Sequence, residues 1–180
     1  MTEPMTTTLN RIRALGPCRD GWGKLLRHLG KTEPDDEPIL FSTIVESNGL
    51  VDALHCLRAE PQYDRKVRLY VVWCARRVEH LNPDPRVKAA NDVSERFANG
   101  RATVAELDAA AEATVTWVAR EAKPAVRAGE AAWAAGARSV TTWAAWVAAR
   151  AAEASENKEA ERQAQTTEFL RIANGGDYPS

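Results

Sequence analysis

Residues 63–81 read YDRKVRLYVVWCARRVEHL, and this stretch decides the fold class. Its apolar side chains recur every three or four residues, which is typical of a helix with one buried face, and they occupy about a third of a helical wheel. These positions are Tyr63, Val67, Tyr70, Val71, Cys74, Val78 and Leu81. A second stripe lies beside them and contains Leu69, Trp73, Arg76 and His80. Because the two stripes cover more than half of the circumference, we expect this helix to lie in the middle of the molecule.

Helix signals continue on the C-terminal side of this stretch. The sequence Asn82-Pro-Asp-Pro85 ends the helix and starts another, because the residue before a proline leaves the helical region whereas proline suits a first helical position. The next helix is predicted over residues 86–97 and stops at Asn99-Gly100. Thr103 and Glu106 then form a capping-box pattern, in which each residue hydrogen-bonds the backbone of the other. A further helix therefore begins there.

Residues 102–164 are rich in alanine and contain four tryptophans. Pro124 should kink or break this run. Beyond it, residues at alternating spacings of three and four predict the seam of a helix packed along another helix. The seam residues are Val126, Gly129, Trp133, Gly136, Val140, Trp143 and Val147. After the seam, Phe169 and Ile172 are predicted as a final apolar anchor.

The N-terminal part is punctuated by strong helix breakers, namely Gly16-Pro17, Gly30 and Asn48-Gly49. Short helices are predicted over residues 8–15, 22–29, 41–46 and 50–57. Residues 31–38, with two prolines and four acids, read as a solvated loop. We therefore expect an all-α fold and one domain over residues 1–180: a compact bundle of short N-terminal helices packed on longer alanine-rich C-terminal helices. Its sub-regions are residues 8–60, 61–100 and 102–172.

Cysteine content and hydropathy indicate the cellular compartment in which the chain is expected. Its three cysteines fit neither a disulfide framework nor a zinc module, so we expect buried free thiols in a reducing environment. No segment has the features of a secretion signal or the roughly 20 apolar residues of a membrane span. The expectation is a cytoplasmic protein.

Charge is balanced overall but uneven along the chain. The net charge is −1, so no global field draws the protein toward nucleic acid or an anionic membrane. Residues 1–31 carry six basic and two acidic groups, residues 32–60 one basic and seven acidic, and residues 61–88 seven basic and three acidic. Alternating blocks of this kind favour a folded surface with patches over a disordered tail.

Catalytic motifs are absent from the sequence. The chain has no dinucleotide, P-loop, zinc-protease or nucleophile-elbow pattern, and we expect neither an enzyme nor a cofactor. A metal site formed by His55, Cys56, Cys74 and His80 is disfavoured, because neighbours on a helix point about 100° apart and the four side chains converge poorly. A metal-dependent hydrolase is therefore the weakest of three functional hypotheses, and the other two are given below.

The strongest candidate for a partner-binding cluster is the stripe of Trp73, Arg76, Arg77 and His80, with Asp64 and Asp84 near the helix ends. Tryptophan and arginine are enriched at the centres of binding sites. The alternative is structural: a central helix keeps its arginines by pairing them with carboxylates of neighbouring helices. For the basic run 65–68, we expect Arg65 and Arg68 to point outward on a solvated face.

Trp146 is added to the candidate site because it lies three residues after Trp143 and so flanks the seam. We expect Trp133→Ala and Trp143→Ala to lower the free energy of unfolding by about 3 to 5 kcal/mol, as for buried aromatic residues. Trp146→Ala and Arg76→Ala should leave the fold largely intact and weaken partner binding.

Three segments carry a resemblance to a known group of proteins: CRDGWGKLLRHLGK at residues 18–31, ESNGLVDAL at residues 46–54 and DRKVRLYVVWCAR at residues 64–76. Together with the alanine-rich region from Ala102, they resemble short bacterial and phage proteins labelled as immunity proteins of the fifth immunity class. The resemblance spans residues 10–172 and implies neutralisation of a toxin, without defining a set of functional residues. Similar genes in phages and mobile elements also imply an anti-defence role, such as an anti-CRISPR.

Two functional hypotheses are stronger than the metal-dependent hydrolase. The first is a non-enzymatic inhibitor that binds and neutralises a protein partner, which is either a toxin or a host-defence effector complex. The alternative is a nucleic-acid-binding regulator that uses the basic N-terminal helices, whose binding would weaken steeply with salt.

Overall fold

The computed structural model describes residues 2–115 and 140–178, and within these ranges the fold is all-α. Nine α-helices are described: α1 Leu9–Ala14, α2 Arg19–Leu29, α3 Phe41–Asn48, α4 Leu50–Cys56, α5 Asp64–Glu79, α6 Pro85–Ala98, α7 Val104–Val115, α8 Val140–Ala154 and α9 Lys158–Ala173. Two single 3-10 turns, Leu57–Ala59 and Pro61–Tyr63, connect α4 to α5. None of the described helices has the combination of length and apolarity that spanning a bilayer requires.

The predicted helix signals around α6 and α7 are confirmed. Pro85 is the first residue of α6, and the carboxylate of Asp84 accepts a hydrogen bond from the backbone N–H of Arg86 at 2.9 Å. In the capping box before α7, the Glu106 N–H donates to Thr103 Oγ1 at 3.2 Å, while the Thr103 N–H donates to Glu106 Oε2 at 2.7 Å. Two backbone N–H donors at the start of the helix are thereby satisfied.

Helix α5 lies at the centre of the bundle, as its two stripes predict. It packs against α6, α8 and α9. The first stripe is buried at its five inner positions, which are Val67, Tyr70, Val71, Cys74 and Val78. The apolar face joins the core cluster with α8 and α9, whereas α6 contacts α5 through Arg68 and Arg76.

Aromatic rings join α5 to the rest of the core. The rings of Tyr70 and Phe169 meet edge to face at 5.5 Å, and Phe41 meets Phe169 at 6.5 Å and Tyr63 at 6.2 Å. Phe169 and Ile172 are both fully buried, so the predicted apolar anchor in α9 is confirmed. Edge-to-face contacts of this kind add to the stabilisation from apolar burial.

A short strand pair near the N-terminus was not predicted. Strand β1, Thr6–Thr7, pairs antiparallel with β2, Ile39–Leu40. The same segment is fastened to the end of α9, because the Met5 N–H donates to the Ala173 carbonyl at 2.7 Å and the Thr2 N–H donates to the Gly175 carbonyl at 3.0 Å. Two residues of alternating pattern are too short a signal for a strand, so only the pairing partner reveals it.

Two expectations about single side chains were wrong. Arg68 is 3% exposed rather than solvated, because α6 packs over it and places its guanidinium 5.0 Å from the centre of the Phe97 ring. Burial lowers the pKa of Arg68 to about 10, and the charge of Asp64 opposes that shift. Cys18 is exposed rather than buried, because it follows the Gly16-Pro17 break and caps α2, where its Sγ accepts a hydrogen bond from the N–H of Gly21.

The described part of the alanine-rich half agrees with the seam at Val140 and Val147, which are fully buried. Trp143 was expected to be buried and Trp146 to flank the seam. Both are half-buried instead, and their rings meet edge to face at 6.0 Å. The expectations at Pro124, Val126, Gly129, Trp133 and Gly136 lie outside the described residues. An unpredicted break separates α8 from α9, where Asn157 Oδ1 accepts a hydrogen bond from the Ala160 N–H at 3.1 Å.

Candidate functional site

Trp73 and Arg77 form the centre of the predicted cluster on α5. The guanidinium carbon of Arg77 lies 4.8 Å from the centre of the Trp73 ring, within the range of a cation–π contact. The ring of Tyr70 lies nearly parallel to that of Trp73, with centres 6.4 Å apart. One helical turn thus places a half-buried indole against both an aromatic ring and a cation.

A carboxylate on α9 holds Arg77 in place. Its Nε donates to both carboxylate oxygens of Glu161, each at 2.9 Å. The Glu161 side chain is 5% exposed, whereas that of Arg77 is 39% exposed. Hydrogen bonds to a buried carboxylate fix the orientation of the guanidinium on the indole.

Gln165 completes this network and ties it to α8. Its Nε2 donates to Glu161 Oε1 at 3.2 Å and to the Ala148 carbonyl at 3.0 Å. The backbone carbonyl of Gln165 accepts a hydrogen bond from the Tyr70 hydroxyl at 3.3 Å. Helices α5, α8 and α9 are therefore joined by polar contacts directly beneath the exposed face of Arg77.

Arg76 points away from this network toward α6. Its Nη2 donates to Asp92 Oδ1 at 2.9 Å and also to Glu95, and Lys88 donates to Asp92 Oδ2 at 2.6 Å. Desolvation lowers the pKa of Arg76, but its hydrogen bond to Glu95 and the two carboxylate charges raise it above its usual value. Both arginines are paired with neighbouring helices, which is the geometry that the structural alternative predicts.

The remaining candidate residues lie apart from the Trp73–Arg77 contact. His80 caps the C-terminal end of α5 and is exposed. Trp146 lies on α8, with the guanidinium carbon of Arg150 5.1 Å from the centre of its ring. The contacts of Trp146 with Trp143 and Arg150 are within its own helix, and its role in partner binding stays a prediction.

Tryptophans in the described part of the chain share two features. All four are half-buried, and three of them have an arginine over the ring. Besides the pairs on α5 and α8, Arg13 of α1 lies 5.9 Å from the centre of the Trp22 ring on α2. These three contacts define what we call the arginine–tryptophan pairs: Arg13–Trp22, Arg77–Trp73 and Arg150–Trp146.

Several basic groups of the N-terminal helices are already paired. Arg11 contacts the fully buried carboxylate of Glu60 at 2.8 Å. Lys31 donates to both Asp35 and Glu37 at 2.6 Å, and these hydrogen bonds raise its pKa. The acidic block of residues 32–60 thus neutralises part of the basic block that precedes it.

A cleft that the sequence did not reveal lies between α1 and α2 on one side and α3 and α4 on the other. Its volume is about 370 Å³. Apolar side chains form much of its surface, namely Ile12, Leu15, Trp22, Leu25, Ile44 and Val51. Polar side chains line the rest, namely Cys18, Asn48, Asp52, His55, Cys56 and Arg58. Clefts of this size and mixed lining are typical of small-molecule sites.

Hydrogen bonds order the polar side of the cleft. The Nδ2 of Asn48 donates to the Gly21 carbonyl at 2.8 Å and to Asp52 Oδ2 at 2.9 Å. A side chain on Gly21 would begin 3.0 Å from Asp52 Oδ2 and 3.1 Å from the Sγ of Cys18. The helical glycine at position 21, which costs about 1 kcal/mol relative to alanine, is the sequence signal that could have indicated this close approach.

Metal-binding chemistry has no support from the described side chains. In residues 2–115 and 140–178, no group of three or more His, Cys, Asp or Glu side chains is arranged to hold a metal ion. Cys56 lines the cleft, and burial, with a smaller effect of the Asp52 charge, raises its pKa to about 12. Cys74 is fully buried, which raises its pKa further.

Comparison of this chain with models of protein families, with curated proteins and with solved structures gives no match.

Proposed function

We propose that this protein is a non-enzymatic inhibitor that binds and neutralises a protein partner, either a toxin or a host-defence effector complex. The observation that supports this proposal best is the set of arginine–tryptophan pairs at half-buried positions. Tryptophan and arginine are the residues most enriched among binding hot spots. A surface that presents both together is suited to contact with a protein.

The Arg77–Trp73 pair is preorganised for binding. Binding normally costs free energy to immobilise long side chains. Because Glu161 already holds the guanidinium on the indole, little of that cost remains for Arg77. Its 39% exposure leaves the outer face of the guanidinium available to a partner's carbonyl or carboxylate oxygens.

The nucleic-acid alternative has weaker support. Arg11 and Lys31 are paired with carboxylates, so part of the positive charge of residues 1–31 is compensated. Binding to phosphates would be recognised by its salt dependence. A titration with duplex and single-stranded DNA at about 50 and 200 mM salt separates the two classes: binding that falls steeply with salt would favour the regulator.

Partner capture tests the proposal. The tagged chain is expressed in its own host, and we expect one protein to co-purify in stoichiometric amount. Trp73→Ala and His80→Ala should reduce recovery of that protein at least tenfold, whereas Arg101→Ala, an exposed substitution before α7, should not. Failure to recover a stoichiometric protein under several conditions, or equal recovery with all variants, would contradict the proposal. Melting curves of the variants distinguish lost contact from lost folding.

A further inference from the structure

We propose that the cleft between α1–α2 and α3–α4 is a binding site for a small organic cation with an apolar body, whose charge pairs with the carboxylate of Asp52. This inference does not depend on the proposed inhibitor function. It rests on the cavity, on the position of the carboxylate within it and on the apolar wall that faces it.

The apolar part of the cleft fits a ring or a short hydrocarbon chain. Ile12, Leu25 and Ile44 are 2%, 2% and 1% exposed and form a rigid base. Trp22 contributes a half-buried indole, and Val51 stands at the rim with 54% of its surface exposed. Binding an apolar body here removes the exposed surfaces of Trp22 and Val51 from water, at a favourable free energy proportional to the area covered.

Asp52 is placed to take a positive charge on the polar side of the cleft. Its Oδ2 accepts the hydrogen bond from Asn48, which fixes the plane of the carboxylate. Asn48 is itself held, since its Oδ1 accepts a hydrogen bond from Ser47 Oγ at 2.7 Å. Within the described residues, Oδ1 of Asp52 accepts no hydrogen bond, so an ammonium or guanidinium group has an oriented acceptor.

Competing charges in the lining favour a cation over an anion. Arg58 also lines the cleft, but it is exposed, and solvent and salt screen its charge. Asp52 is half-buried beside Gly21 and Cys18, where an ion pair is screened less. Cys56 stays a neutral thiol at physiological pH, because burial raises its pKa to about 12. Among the described residues that line the cleft, Asp52 is the only acidic one, and the two basic ones, His55 and Arg58, are both exposed.

A matched ligand series tests the proposal. Phenethylamine, 2-phenylethanol and 3-phenylpropionate share a phenylethyl body and carry a positive, zero and negative charge. Each is titrated into the isotope-labelled full chain while the Trp22 indole N–H and the Asn48 amide resonances are followed by NMR. We expect phenethylamine to bind at least tenfold more tightly than 2-phenylethanol, and 3-phenylpropionate to bind more weakly than either.

Three variants assign the binding. Asp52→Asn keeps an oxygen for Asn48 and should reduce the affinity for phenethylamine to that for 2-phenylethanol, while the affinity for the alcohol stays the same. Arg58→Gln is the charge control and should change both affinities less than threefold. Val51→Trp places a large side chain at the exposed rim and should abolish binding of both ligands without unfolding the chain.

Several results would overturn the proposal: equal affinity of the wild type for amine and alcohol, no shift of the Trp22 and Asn48 resonances at millimolar ligand, or an unchanged preference for the amine in Asp52→Asn. The wild-type comparison decides even if Asp52→Asn does not fold. A further titration with acetyl-Phe-Arg-amide identifies the source of the cation. Tighter binding of this peptide indicates a basic side chain of a protein, and tighter binding of phenethylamine indicates a free amine.

Discussion

Arg77 and Glu161 are joined by two hydrogen bonds of 2.9 Å from one Nε, yet the two side chains lie in different environments. The side chain of Glu161 is 5% exposed and that of Arg77 is 39% exposed. The two substitutions are therefore not equivalent. Removing Arg77 leaves a buried carboxylate, whereas removing the charge of Glu161 leaves a hydrated guanidinium.

Arg77→Ala should therefore destabilise the fold more than Glu161→Gln does. Loss of Arg77 leaves a buried carboxylate without its cation and should lower the free energy of unfolding by about 3 kcal/mol. Glu161→Gln retains a carbonyl oxygen that can accept a hydrogen bond from Arg77, and the Arg77 side chain can also be hydrated. This substitution should lower the free energy of unfolding by about 1 kcal/mol. Urea unfolding of both variants measures the difference. Equal losses would mean that the carboxylate is more hydrated than its burial indicates.

Arg68 and Arg76 lie on the same helix but should respond differently to truncation. Arg68 is buried against Phe97, so Arg68→Ala removes packing and leaves Asp64 without a nearby cation, with an expected loss of about 3 kcal/mol. Arg76 is 36% exposed and its partners are also partly exposed, so Arg76→Ala should cost less than about 1 kcal/mol. Thermal and urea unfolding of the two variants compare them directly, and a larger loss for Arg76 would be inconsistent with this account.

Trp143 and Trp146 should contribute to stability as a pair. Both are half-buried, so each substitution by alanine should cost about 2 to 3 kcal/mol, below the range for a fully buried aromatic. Their edge-to-face contact at 6.0 Å should appear in a double-mutant cycle as a coupling energy of about 1 kcal/mol. A coupling near zero would show that each ring is stabilised by other neighbours instead.

Gly175 lies where residues 2–5 contact residues 173–175, and a glycine is required there. Its φ is +96°, and a side chain there would begin 2.3 Å from the carbonyl oxygen of Thr2. Gly16 offers a matched control, with a φ of +68° and no atom within 4 Å. Gly16→Ala should cost about 1 kcal/mol for the left-handed conformation alone. Gly175→Ala should cost at least about 1 kcal/mol more and should speed hydrogen exchange at Thr2 and Met5; similar losses for both glycines would refute the close approach.

The three cysteines should react with iodoacetamide in a fixed order. Cys18 is exposed and should be alkylated first. Cys56 has a pKa of about 12, so only about one thiol in ten thousand is ionised at pH 8, and its reaction should be slow. Cys74 is fully buried and should react only on unfolding. Mass spectrometry of peptides over a time course reads the order, and rapid modification of Cys56 would contradict the environment described here.

Local signals predicted the helices well, because they act over one or two turns. The periodicity of residues 63–81 identified the central helix, and the spacing of Thr103 and Glu106 identified the start of α7. Arg68 was misplaced because its burial depends on α6 lying over it, which no periodicity within α5 encodes. The pairing of β1 with β2 depends in the same way on contact between distant segments.

The candidate site was predicted only in part, for the same reason. Trp73 and Arg77 were identified from residue type and spacing, and they are in contact. That Arg76 pairs with α6 while Arg77 pairs with α9 depends on which carboxylates the neighbouring helices present. The cleft arises from the relative placement of four short helices, and within the sequence only the helical Gly21 hints at it.

The hydrogen bonds from Thr2 and Met5 to residues 173–175 also set the order of events during synthesis. Residues 2–5 precede these partners by about 170 positions, so their backbone hydrogen bonds cannot form until residues 173–175 have been translated. The aromatic contacts of Phe169 with α3 and α5 also form only after translation of α9, whereas β1 can pair with β2 earlier. Until then α3 and α5 expose the apolar surface that Phe169 later covers, and such surface makes an incomplete chain prone to aggregation.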